Sequence, residues 1–366
     1  MEYNPMEEMG FSQDKQFVCG NLGFISANNN ARRMCARLIR NGGRLFDVIS
    51  RYDDLVNYAL NREEVHFGST MKMILPFLNA FGATDHWAYG FSKEDLEIFP
   101  GADRAIRYIG NLLPAYINTC SYEHHMMAVC DAIGFPIGNV SCTQASFDAV
   151  RVNKAEAREL KSVSGMIAGL KLPDASSSLE KAVSLGEEDT AIINTLDSFF
   201  LERLPDMELA ETLKPVGVMG QNEKAYVLLE IRRRTDIEFS DTVYVGGDSS
   251  DGQAMDLVRD NSGLSISFNG DERAVRSCNI AVTGNDATAV AVLTSEFYNE
   301  GIEAVFDLVE NWDRAKLKKY PCTDAYLRDA MLKASPRGLP SVRKVDRRNV
   351  NDIARESAAF RKKVLR

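Results

Sequence analysis

The stretch FVCGNLGFIS, residues 17–26, decides how the rest of the chain is read. Phe17 to Cys19 form a short apolar run, and Gly20, Asn21, Leu22 and Gly23 follow as a tight loop. In α/β proteins the loop just beyond a strand's carboxyl end is where reactive residues gather. This loop holds no acid, base or nucleophile. Cys19 belongs to the strand and is expected to face away from the loop, while Asp14 precedes the strand and falls at its other end. The sequence builds an active-site turn and leaves out the chemistry.

Working outward, apolar residues recur at three- and four-residue steps after the first strand, so residues 30–63 read as helical, with a break at Asn41-Gly42-Gly43. Ser92 with Asp95 three residues on predicts a helix start, and Ala102 to Leu113 a helix. PAYINTCS reads as a second strand, SYEHHMMAVCDAIGF as a helix and NVSCTQASFD as a short strand with its exit. Residues 153–213 are helical in composition, with a Ser-rich break at Asp174 to Ser178. Beyond them Lys224 to Arg234 reads as a helix, and DTVYVGG, LSISFNG and NIAVTG as strands with helices between. Strands alternating with helices argue for an α/β fold, a Rossmann-like doubly wound parallel sheet. Its clearest strands are Phe17–Cys19, Ala115–Asn118, Thr242–Val245 and Leu264–Phe268.

Composition bounds the rest. With 45% hydrophobic and 26% charged residues the chain is an ordinary globular protein. No apolar run approaches the roughly 18 residues that span a bilayer, so no membrane insertion is expected. The opening MEYNPMEEMGFSQDKQ reads as an acidic, polar N-terminal arm (residues 1–16) rather than a targeting peptide, which points to a cytoplasmic location. Seven cysteines at irregular spacing without CxxC argue against disulfides and thiol–metal sites. His124 and His125 are neighbours that a helix points in different directions, so they read as surface polarity. From Asp313 onward there are 16 Lys and Arg against 6 Asp and Glu, a basic tail on a chain of net charge −9. It lacks interleaved aromatics, which argues against nucleic acid as partner and for solvation or docking on the chain's own acidic body.

GFISANNNA, ISRYDD, ILPFLNAFGATD, FPGADRAIRYI, SYEHHMMAVCDAIGFP and GLSISFNGDERAVRSCNIAV together give the chain a resemblance from Phe17 to Trp312. It resembles the haloacid dehalogenase (HAD) superfamily, and more narrowly an archaeal HAD-like family of methanogens, some of whose members are associated with energy-converting hydrogenase. The resemblance implies a HAD-like core over residues 17–45, 100–152 and 214–312. Helical cap insertions would fall at 46–99 and 153–213, with the basic tail at 313–366 outside.

The resemblance also implies a phosphatase-like site. An Asp ending the first strand attacks phosphorus, an acid two residues later moves protons, a strand-two hydroxyl and a helix Lys hold phosphate oxygens, and later acids help hold Mg²⁺. In this sequence the nucleophile position is Gly20 and the acid/base position is Leu22, so no catalytic residue is assigned. Asn21, Thr119, Ser121 and Lys224 are the phosphate-binding candidates. In VYVGGDSSDGQAM one register puts Gly247 at the first acid and Asp251 at the second, and another keeps Asp248; Asp248 and Asp251 are thus the metal candidates. The implied reading is a degenerate, non-catalytic site that acts by binding a small anion, a phosphorylated ligand or a protein partner. Its alternative is a Mg²⁺-dependent phosphohydrolase using relocated acids.

Overall fold

The computed structural model describes residues 14–59, 70–172, 185–321, 324–336 and 338–365. Most of the N-terminal arm and the Ser-rich break at Asp174 to Ser178 lie outside these. Seven strands form one sheet: β1 Gln16–Cys19, β2 Ala115–Tyr122, β3 Val140–Thr143, β4 Thr242–Gly246, β5 Leu264–Phe268, β6 Ile280–Thr283 and β7 Ser341–Lys344. Their order is β3-β2-β1-β4-β5-β6-β7. β1 pairs in parallel with β2 and β4, β4 with β5 and β5 with β6, while β7 closes the edge antiparallel to β6. This is the doubly wound α/β architecture expected. β1, β4 and β5 are buried along their whole length, as parallel strands covered on both faces are.

The chain divides into two compact units. The first comprises Met1–Ile25, Phe99–Asn118 and Ala225–Val364, and the second Ser26–Ile98, Thr119–Lys224 and Leu365–Arg366. In the first, Val18 and Tyr244 of the sheet share a core with Met255, Val275, Ile353 and Ala354. The last two belong to the helix Val350–Val364, inside the segment expected to lie apart as a tail. That segment also supplies β7, so it is part of the sheet and its core. Lys316, Lys318, Lys344, Arg347, Arg348, Lys362 and Lys363 are exposed while Val342, Ile353 and Ala354 turn inward, which composition alone hides.

The second unit is one body rather than two insertions. Its helices at Gly42–Asp54, Thr70–Ala80, Lys154–Ile167 and Glu187–Asp197 share one apolar core. At its centre Tyr52 stacks on Phe200 at 5.7 Å, and Phe77 meets Phe199 at 5.9 Å. Neither expected insertion could bury its apolar stripe alone, so the two cover each other. The helix start expected at Ser92 is corrected. The helix runs Asp85–Glu94, and its N-cap is Thr84, whose side chain accepts from Trp87 N at 3.1 Å. Ser92 is buried near its end, because a Ser followed by an acid is only one of several capping patterns.

Candidate functional site

The sheet reverses direction of winding between β1 and β4: the chain leaves β1 toward β2 on one side and β4 toward β5 on the other. Ligands of open α/β sheets bind at such a point, beyond the strands' carboxyl ends. Cys19 lies opposite Val245, and Gly20 N donates to Val245 O at 2.8 Å. The register therefore sets the loop from Gly20 beside the loop from Gly247. Gly23 takes φ +92°, open to glycine, and lets the loop turn. Phe24 then pins it by an edge contact with Phe268 at 5.6 Å.

The Asp251 carboxylate of the other loop stands close over Gly20. A Cβ built on Gly20 would lie 3.2 Å from Asp251 Oδ2 and 3.3 Å from Oδ1. Asp251 is 1% exposed. Its Oδ2 accepts from Gly247 N at 2.9 Å and Asp248 N at 3.2 Å, and its Oδ1 from Tyr244 Oη at 3.1 Å. Tyr244 is fully buried, and desolvation with the Asp251 charge holds its pKa well above the ordinary value, so it stays a phenol that donates.

Asp248 is half-buried and caps the turn Ser249–Asp251, accepting from Ser250 N at 3.0 Å and from Ser250 Oγ. The two metal candidates thus form a capping box for the turn Ser249–Asp251, which leads into the helix Gly252–Asp260. Mg²⁺ needs carboxylate oxygens turned toward it in a near-octahedral shell. Here both acids are turned toward N–H and O–H donors. Among the described residues no three His, Cys, Asp or Glu side chains stand together as a metal group. The donor set does not fit Mg²⁺.

Asn21, 2% exposed, sits in the β1 loop with its carbonyl taken by Ile25 N at 2.9 Å. Leu22 is half-buried beside it. The remaining candidates belong to the second unit. Thr119 is buried, its Oγ1 3.3 Å from Ser121 Oγ and 3.2 Å from Ser121 N, so the two candidates form a hydroxyl pair. Lys224 lies in the first turn of the helix Gln221–Thr235 and is 2% exposed. A lysine is almost never that buried unless its charge is used.

The histidine pair is not surface polarity. His124 Nε2 lies 2.9 Å from Asp85 Oδ1, and His125 is 1% exposed with both ring nitrogens unpartnered. Asp85 gathers Ser146 Oγ at 2.7 Å and Phe147 N at 2.6 Å, and these bonds with His124 hold its pKa below the ordinary value against the cost of burial. The cysteines behave as expected of small hydrophobes: burial pushes the thiols of Cys142 and Cys278 up to about 12.

Three residues at the carboxyl end of the first unit's sheet escaped the sequence reading. Asn118, fully buried, follows Ile117, the β2 partner of Cys19. Asp271 follows β5, with its N–H on Gly247 O at 3.0 Å. Burial pushes its carboxyl up to about 6; Arg361 and the Ala274 N–H pull it down, and Asp248 adds to the rise. Arg361, from the helix Val350–Val364, donates to Asn269 O at 3.1 Å. In the sequence, an Asn closing the apolar strand AYI and an Asp between the strand LSISFNG and the helical ERAVR were the available signals.

No family model and no curated protein matches the chain. Among solved structures, it is similar to gene product AF1437 from Archaeoglobus fulgidus, over 96% of this chain and 97% of that one, at 22% identity and a TM-score of 0.74. A phosphoserine phosphatase described as a phospho-aspartyl intermediate analogue is similar over 76% of this chain and 98% of its own, at 10% identity and a TM-score of 0.46. A HAD family hydrolase from Salmonella enterica follows, over 70% and 63%, at 10% identity and 0.40. The likeness to the Archaeoglobus protein extends over nearly all of the chain, and the chain shares its fold.

Proposed function

We propose that this chain is a HAD-type scaffold that has given up phosphoryl transfer and binds a small oxyanion, a phosphate or a phosphorylated molecule. The observation that carries this reading is the Asp251 carboxylate in the space a nucleophile at position 20 would need. A nucleophilic carboxylate has to reach phosphorus in line. Asp251 is buried and accepts from Gly247 N, Asp248 N and Tyr244 Oη, which stabilises it where it is and lowers its nucleophilicity. Leu22 has no proton to give. Lys224, in the role the resemblance gives it, is 2% exposed, and a lysine is that buried only where its charge is paired, which supports a charge-pairing role in oxyanion binding.

A second reading draws on the same carboxylate: a phosphohydrolase in which Asp251 has taken over from position 20. One experiment separates them. Hydrolysis of an aryl phosphate with Mg²⁺ is measured beside calorimetric binding of inorganic phosphate, for the natural chain, Asp251→Asn and Lys224→Met. The binding reading expects no turnover, and phosphate binding that Lys224→Met weakens by about tenfold or more. Turnover that disappears in Asp251→Asn would establish the second reading instead.

A further inference from the structure

Position 247 has been filled as thoroughly as position 20, and by a cation. A Cβ built on Gly247 would lie 3.2 Å from each of three atoms: Arg361 Nη1, Leu22 O and Phe268 O. Two carbonyl oxygens and a guanidinium therefore converge where the first acid after β4 would carry its side chain. Arg361 Nη1 also donates to Asn269 O at 3.1 Å.

This guanidinium is not a mobile surface charge. Its helix is fastened to the same end of the sheet one turn earlier, where Ser357, 1% exposed, donates from Oγ to Gly270 O at 2.7 Å. Ile353 and Ala354 anchor the preceding turn in the core. Arg361 is itself half-buried, and Asp271 and Asp248 lie within range of its charge or of each other's.

We infer that Arg361 is the built-in cation of this crevice, set where a divalent metal ion would otherwise neutralise charge at the carboxyl ends of β4 and β5. A fixed guanidinium repels a second cation and presents several N–H donors, so it suits an oxyanion without any metal. The chain has exchanged an exchangeable cation for a covalent one. The first consequence, metal exclusion, stands apart from the proposed function; the second, support of an oxyanion, rests on it.

The test uses the full chain, with Mn²⁺ as probe followed by electron paramagnetic resonance. Arg361→Gln keeps a donor for Asn269 O and loses the charge, whereas Arg361→Lys keeps both, so the pair separates charge from anchoring. Thermal melts check that both fold. The natural chain and Arg361→Lys are expected to leave Mn²⁺ free, and Arg361→Gln to take it up about tenfold more tightly or better. Mn²⁺ bound equally by the natural chain and Arg361→Gln, or by neither, overturns the inference. In a parallel arm with chelator present, inorganic phosphate binding should weaken about tenfold in Arg361→Gln and be retained in Arg361→Lys. Unchanged phosphate binding in Arg361→Gln overturns the anion-binding role. A natural chain that binds no phosphate, while Arg361→Gln gains Mn²⁺, would sink the oxyanion reading and support the exclusion of metal.

Discussion

Asp251 and Gly20 share one side-chain space: the carboxylate of the first lies 3.2 Å from where the Cβ of any residue at the second would stand. A side chain at position 20 would therefore have to displace the Asp251 carboxylate by a few tenths of an ångström.

An aspartate placed at position 20 is expected to cost stability. Gly20→Ala is expected to cost about 1–3 kcal/mol from overpacking alone. Gly20→Asp is expected to cost more, because two carboxylates would then compete for one buried space. Pairing either change with Asp251→Ala should recover part of the loss, a coupling of about 0.5–3 kcal/mol in a double-mutant cycle by urea unfolding. Additive losses would mean that the two residues do not compete.

Truncation before Ser341 is expected to unfold the first unit rather than trim a tail. It would remove β7 and expose the partners of Val342 and Ile353, which are 5% and 1% exposed. The milder Ile353→Ala should lower stability by about 2–5 kcal/mol. Thermal melts of both check this; a truncated chain that melts like the full one contradicts it.

Asp271 should make stability fall as pH rises. Its carboxyl is raised from 3.8 to about 6, chiefly by burial, so the folded state holds its proton more tightly than the unfolded chain does. That contribution is full below the unfolded value and is lost as pH climbs through about 6. Asp271→Asn keeps the cap on Ala274 N and should remove this loss. Arg361→Gln should raise the Asp271 value further, which carboxyl-carbon NMR titration reads directly.

His125 works in the opposite direction over nearly the same range. Burial lowers its value from 6.5 to about 4, so its contribution is full above the unfolded value and is lost as pH falls through about 4. Neither ring nitrogen has a partner, so His125→Leu should be near neutral at pH 7 and more stable than the natural chain at pH 5. Since the slopes from Asp271 and His125 oppose, the natural profile should be flatter than that of either variant. Urea melts across this range test the pair.

The sheet was legible because its central strands are apolar runs between turn residues: Phe17–Cys19, Thr242–Val245 and Leu264–Phe268 form as read. β7 was not, because SVRK shows one buried residue among polar neighbours, the pattern of an exposed edge. The barren loop at Gly20 and Leu22 was visible in the residues themselves. The positions of Asp251 against Gly20 and Arg361 against Gly247 were not, since they follow from strand register and helix docking. Burial was equally hidden for His125, where a polar pair on a helix gives no sign of which member turns inward.

The pairing of β1 with β4 also has a consequence for how the protein is made. Gln16 bonds to the side chain of Thr242 across a sequence separation of 226 residues. During synthesis β1 emerges before that partner and must wait for it, with its fully buried residues uncovered meanwhile. Closing so long a loop is entropically costly and slow unless the intervening chain is already compact. Residues 26–98 and 119–224, which share their own apolar core, lie largely within that interval. Folding of that body on the ribosome would shorten the effective loop, making its early collapse a determinant of yield and its destabilised variants prone to aggregate through β1.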